Sequence, residues 1–200
     1  DRFHLLGHDR GARVGYRMAL DFPGRVVKLG IIEVVPTAEM WRAYKAPLAK
    51  KAWHWTFLSQ PAPHPERMIG ADPDHFTDWA LSSWTIAGDL SVFPSVALGS
   101  YRAQMRNHDC VHAMCEDYRA GAGIDLTHDE EDLAAGKTIK APLHFMWTAN
   151  GFPARTGDPR GLWRKWADTV TGTQIESGHF AQEEHPDAVL DAFLPFFSAA

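Results

Sequence analysis

Residues Phe3-His4-Leu5-Leu6-Gly7-His8-Asp9-Arg10-Gly11-Ala12-Arg13 read as a strand that turns sharply into a helix. Phe3 to His8 reads as a short buried strand, and a helix follows at once over Ala12 to Phe22, with apolar positions at Val14, Met18 and Leu20. Glycines two places before and two places after Asp9 permit a cramped strand-to-helix turn that pushes the central side chain outward. Where Ser occupies such an elbow it is a nucleophile. Here the residue is an Asp, whose carboxylate can attack carbon directly and form an ester. The competing reading makes Asp9 the N-cap of the following helix, a common role for this residue type.

Pro23-Gly24 stops the helix, and Arg25 to Val35 is a nearly continuous β-branched run of the kind covered on both faces in a parallel sheet. From Thr37 to about Gly136 the pattern turns helical and tryptophan-rich, interrupted by Gln60-Pro61-Ala62-Pro63-His64-Pro65. Strand character returns over Ala141 to Trp147. A helix is expected around Leu162 to Val170, a short strand over Gly172 to Glu176, and a closing helix from Pro186 with Val189, Leu190, Phe193, Leu194 and Phe197 on one stripe. The order β-α-β, helical insert, β-α-β-α defines an α/β sheet with a lid of helices. It divides the chain into a core part at 1–36, a cap at 37–136 and a second core part at 137–200.

Arg10 and Arg13 fall three residues apart in the first helical turn, where the helix dipole disfavours cations. Two guanidiniums beside helix-terminal amides make an anion site shaped for a carboxylate. Arg17 reads instead as a surface residue paired with Asp21. His179, in Ser177-Gly178-His179 between the last strand and the last helix, stands where the order nucleophile, acid, histidine would put a catalytic base. The orienting acid is Glu33, the acidic residue in an otherwise apolar strand, with Asp158 as the rival.

The 200 residues carry a formal net charge of −5, with Lys plus Arg at 20 and Asp plus Glu at 25. That balance argues against a nucleic-acid surface or a polybasic membrane anchor. No apolar run approaches the roughly 20 residues of a transmembrane helix. Two cysteines, Cys110 and Cys115, are too few for a disulfide framework, so a cytoplasmic setting is expected. His108 and His112 stand at i and i+4 but lack the His-Glu-x-x-His pattern, so no metal site is expected. Trp41, Trp53, Trp79 and Trp84 read as cap core, and Asp129-Glu130-Glu131-Asp132 as a solvated helix start.

Taken together, Gly7-His8-Asp9-Arg10-Gly11-Ala12-Arg13, Trp53-His54-Trp55, Gln60-Pro61-Ala62-Pro63 and His112-Ala113-Met114-Cys115-Glu116-Asp117-Tyr118-Arg119-Ala120-Gly121 resemble the haloacetate (fluoroacetate) dehalogenases of the α/β-hydrolase fold. The resemblance implies hydrolysis of short 2-haloacids without a cofactor, Asp9 displacing halide and His179 activating the water that cleaves the resulting ester. It implies that Arg10 and Arg13 clamp the substrate carboxylate, and that His54, Trp55 and Tyr118 donate hydrogen bonds to the departing halide. Family members are often dimers, which leaves a homodimer open.

Two departures stand out. Glu33 occupies a position where the family usually has Asp. The family's earlier strands and its His-Gly oxyanion loop have no counterpart, so the chain is expected to be the C-terminal portion of a longer protein, with activity in the full-length parent. An epoxide hydrolase, which shares the Asp and His but has no use for paired arginines, is the alternative enzyme. An inactive truncated fragment is the alternative of another class. Esterase chemistry is disfavoured because Asp replaces Ser.

Overall fold

The computed structural model describes residues 1–199. Four parallel strands, β1 (Phe3–His8), β2 (Val26–Ile32), β3 (Leu143–Thr148) and β4 (Val170–Ile175), form one sheet in the order β1-β2-β3-β4. Parallel neighbours need a crossover between them. The first crossover is α1 (Asp9–Asp21). The second is a run of helices: α2 (Thr37–Ala43), α3 (Ala46–Lys51), α4 (His54–Leu58), α5 (His64–Ala71), α6 (Pro73–Ser82), α7 (Ser95–Met105), α8 (His108–Gly121) and α9 (Ile124–Ala134). The third carries α10 (Pro159–Trp163), and α11 (Ala181–Glu184) and α12 (Pro186–Ser198) close the chain.

Every residue of β3 is buried, and Leu29, Ile31, Leu143 and Phe145 are fully so, as strands covered on both faces require. β1 departs from the buried strand expected of it. It lies at the sheet edge, and Phe3 and Leu6 are exposed, so burial begins only at Gly7. The apolar stripe of α12 is also narrower than its sequence suggests. Val189 and Phe193 pack with Ile32, Met146 and Ala181, whereas Leu190 and Leu194, about 100° further round the helix, are exposed. The segment expected to be helical up to Val170 stops at Trp163, and Val170 opens β4.

The chain forms two compact units, one of Asp1–Trp41 with His128–Ala200 and one of Arg42–Thr127. The sheet unit thus takes in residues at both ends of the helical stretch. Asp129 explains part of this. It is fully buried and accepts hydrogen bonds from the Ala38 amide and the Tyr16 hydroxyl of the sheet unit. The acidic run is therefore not a solvated helix start. It lies in the middle of α9, where Asp129 and Asp132 face Arg17. Among the described residues no helix is long and apolar enough to cross a membrane.

Candidate active site

β1 passes into α1 without a loop, and Asp9, the first helical residue, has φ 46°. A non-glycine residue in this left-handed region costs about 1–3 kcal/mol and marks a position held by its surroundings. The N-cap is His8, and no side chain caps the helix, so the Asp9 carboxylate is not consumed as a cap. The two flanking glycines are not equivalent. A Cβ on Gly7 would lie 2.6 Å from Ala12 Cα and 2.7 Å from Ala12 N, a backbone clash that nothing flexible can relieve. A Cβ on Gly11 would meet nothing within 4 Å, so the expectation that both glycines are sterically required holds for Gly7 alone. Gly7→Ala is expected to destabilise by about 3 kcal/mol or more, whereas Gly11→Ala, at an open helical position, is expected to stabilise by up to about 1 kcal/mol, as read from denaturant unfolding.

His179 lies on the loop between β4 and α11, with Nε2 3.5 Å from Asp9 Oδ2. That loop is tied down from both sides. The Gly178 and Phe180 amides donate to the two Glu184 oxygens at 3.1 and 3.2 Å. The His179 carbonyl accepts a hydrogen bond from His8 Nε2 at 2.8 Å. A carbonyl can only accept, so His8 carries its proton on Nε2, which leaves Nδ1 to accept from Gln182 Nε2 at 3.3 Å. Burial, reinforced by the charge of His179, lowers the His8 pKa to about 4, which keeps this imidazole neutral. β1 thus holds the backbone of the His179 loop through a side chain that the sequence reading passed over. A polar residue ending an apolar strand beside Asp9 is the signal that could have found it.

Burial works against the charge on Asp9, but the hydrogen bond and charge of His179, with the charge of Arg13 adding, hold it far below the usual carboxylate range. Burial likewise opposes protonation of His179, and the charges of Asp9 and then Glu33 outweigh it and raise its pKa. The pair is an ionised carboxylate facing a basic imidazole.

Glu33 follows β2 directly, with φ 56°. Its carboxylate accepts from the Thr148 amide at 2.6 Å and the Thr148 hydroxyl at 3.1 Å, at the end of the neighbouring strand. It lies so close to Gly151 that a Cβ there would fall 1.7 Å from Oε1. Asp158, its rival, accepts from the Gly161 amide at 2.8 Å and caps α10. Of the two acids, Glu33 is the one whose charge acts on His179.

Burial pushes Glu33 up to about 6, against the charge of His179 and the Thr148 hydrogen bonds. A carboxyl raised on folding favours the folded state below its unfolded pKa, and that advantage is lost as pH rises through the folded value. Glu33→Gln is therefore expected to stabilise the fold at neutral pH, by at most about 2 kcal/mol, while slowing turnover. Chemical unfolding at pH 5 and pH 8 checks this, since the gain should shrink at the lower pH.

Arg13 is buried, and its Nη1 donates to the Val35 carbonyl at 2.9 Å and to Thr37 Oγ1 at 3.3 Å. Arg10 is half-buried in the same first turn of α1. Arg17 pairs with Asp21 at 2.6 Å, as its spacing suggests, and also with Asp129 and Asp132.

Within the second unit, Trp55 and Tyr118 are buried. The Tyr118 ring meets Trp55 and His54 edge-on, with centroids 5.9 and 5.7 Å apart. Trp53 packs on Trp79 at 5.3 Å, but Trp79 is 48% exposed and so is only partly core. His112 Nδ1 lies 3.0 Å from the buried Glu66, and Arg102 makes a two-pronged contact with Asp78. Among the described residues no group of three or more His, Cys, Asp or Glu could hold a metal ion.

A parallel sheet whose first strand ends in a carboxylate elbow, with an acid after the next strand and a histidine after the last, defines an α/β hydrolase. No family model matches the chain. It is 39% identical to a protein from Nostoc sp. PCC 7120 assigned to the α/β hydrolases, whose structure superposes with a TM-score of 0.93 over all of this chain and 67% of that one. The chain belongs to the α/β-hydrolase family.

Within that family it is 37% identical, over its whole length and 65% of the relative's, to a fluoroacetate dehalogenase from Burkholderia sp.. It is also 42% identical to a Pseudomonas aeruginosa protein assigned to the epoxide hydrolases, with a TM-score of 0.93 over 98% of this chain and 65% of that one. The chain therefore spans about two thirds of the length of these relatives.

Proposed function

We propose that this chain carries the nucleophile, acid and base of a hydrolase that converts haloacetate and water to glycolate and halide. The observation that carries the reading is Asp9: a carboxylate at φ 46° on an elbow, at ion-pair distance from His179, with the buried Arg13 charge bearing on it. An Asp9 oxygen attacks the α-carbon. The carbon–halogen bond breaks, and the halide leaves with the bonding electrons, giving a glycolyl ester. Water then attacks the ester carbonyl carbon of Asp9 while His179 takes its proton; the bond from that carbon to the glycolyl oxygen breaks, the proton from His179 goes to that oxygen as glycolate leaves, and the Asp9 carboxyl loses the remaining proton to solvent.

Esterification removes the negative charge that most strongly raises the His179 pKa, so the first step itself shifts His179 toward the neutral form that can take a proton from water in the second. Glu33 stabilises the imidazolium that follows. Arg10 and Arg13 are assigned the substrate carboxylate. Halide donation by His54, Trp55 and Tyr118 is assigned from the resemblance and from their clustering in the second unit. A haloacid as the small-molecule partner and a cytoplasmic setting go with this reading.

Hydrolysis of an epoxide by the same Asp9 and His179 is the second reading, favoured by the 42% identity to the Pseudomonas aeruginosa protein. A carboxylate clamp has no purpose on a neutral epoxide. Halide release from chloroacetate and fluoroacetate, measured beside hydrolysis of styrene oxide, separates the two. Turnover of the haloacids alone is expected, and turnover of the epoxide alone would replace the proposal.

A further inference from the structure

Behind Arg13 lies a chain of buried polar groups that no part of the reaction uses directly. The Tyr16 hydroxyl lies 2.9 Å from Thr37 Oγ1 and 2.8 Å from Asp129 Oδ2, and it accepts the Thr37 amide at 3.0 Å. Thr37 Oγ1 in turn accepts from Arg13 Nη1 at 3.3 Å. Tyr16 and Asp129 are both fully buried.

The hydroxyl of Tyr16 has one proton and two neighbouring oxygens. A carboxylate is the stronger acceptor, so that proton goes to Asp129. The Thr37 hydroxyl proton then turns to the Tyr16 oxygen, and a Thr37 lone pair is left facing Arg13. Hydrogen bonds therefore run in one direction from Arg13 through Thr37 and Tyr16 to Asp129. Asp129 is itself fixed by the Ala38 amide at 3.1 Å and by Arg17 at 3.2 Å.

We propose that Tyr16, Thr37 and Asp129 are positioning residues that orient the Arg13 guanidinium for the substrate carboxylate. The inference rests on Arg13 being part of the carboxylate clamp. Arg13 also holds the Val35 carbonyl, and Trp163 Nε1 holds the Val34 carbonyl at 3.1 Å, so the segment just after Glu33 is pinned at successive residues. Loosening the Tyr16 end frees the guanidinium to tilt while the Val35 contact remains.

The test uses Tyr16→Phe, with Thr37→Val as a second variant that deletes only the intervening hydroxyl, and Arg13→Lys as the reference. Two quantities are read in the full chain: the Kd of glycolate by calorimetry, and kcat and KM for chloroacetate. Tyr16→Phe and Thr37→Val are each expected to raise Kd and KM by about tenfold with kcat within about twofold. Neither should add a further effect in the Arg13→Lys background. Val26→Ala, a buried truncation at the start of β2 outside this network, should leave Kd and KM unchanged, a split that a merely structural role would not give.

If Arg13→Lys weakens glycolate binding and Tyr16→Phe and Thr37→Val do not, or if their effects add to that of Arg13→Lys, the positioning assignment is overturned and the clamp stands. If Arg13→Lys itself leaves Kd unchanged, the clamp assignment falls and takes the positioning role with it.

Discussion

Asp9→Asn is expected to abolish haloacetate turnover, lowering kcat by about 10⁴-fold or more, the scale on which removal of a catalytic nucleophile is felt. The amide matches the carboxylate in size and can keep the elbow geometry, but it has no charge to form the ester bond. The strain at φ 46° and the contact with His179 then serve no reaction. Glycolate should still bind, because Arg10 and Arg13 are untouched. Loss of turnover with retained glycolate binding therefore separates a chemical defect from a folding defect. A variant that kept more than about a tenth of wild-type kcat would remove Asp9 from the nucleophile's role.

The second large effect is expected at His179. His179→Asn leaves Asp9 ionised and able to attack, so the first step proceeds and the second does not. Halide release should then follow a stoichiometric burst and stop, whereas Asp9→Asn gives no burst at all. Loss of the imidazole also removes the group that most lowers the Asp9 pKa. Asp9 still keeps the charge of Arg13, which favours its carboxylate form. Steady turnover at a rate near wild type would show that water is activated elsewhere.

Much of this architecture was legible in the residues. The β-branched run ending at Val35, the apolar segment at Leu143 to Trp147 and the glycine-flanked Asp9 are local patterns, and local patterns survive into the fold. What stayed hidden was non-local or steric. Asp129 looks solvated because its sequence neighbours are charged. Its partners Tyr16, Arg17 and Ala38 arrive from elements some 90 residues or more away in sequence.

Thr148 and Gly151 gave no sign of serving Glu33, since only the pairing of β2 with β3 brings them to its carboxylate. Glu33 was recognised as out of place in an apolar strand, but its left-handed backbone could not be read from composition.

A covalent ester on Asp9 is the intermediate on which the proposed reaction depends, and mass spectrometry of the His179→Asn protein after exposure to chloroacetate looks for it. A mass gain of one carboxymethyl group is expected, located by peptide mapping on Asp9 and discharged by mild alkali. Halide release with no adduct on Asp9, or an adduct confined to another side chain, would contradict it.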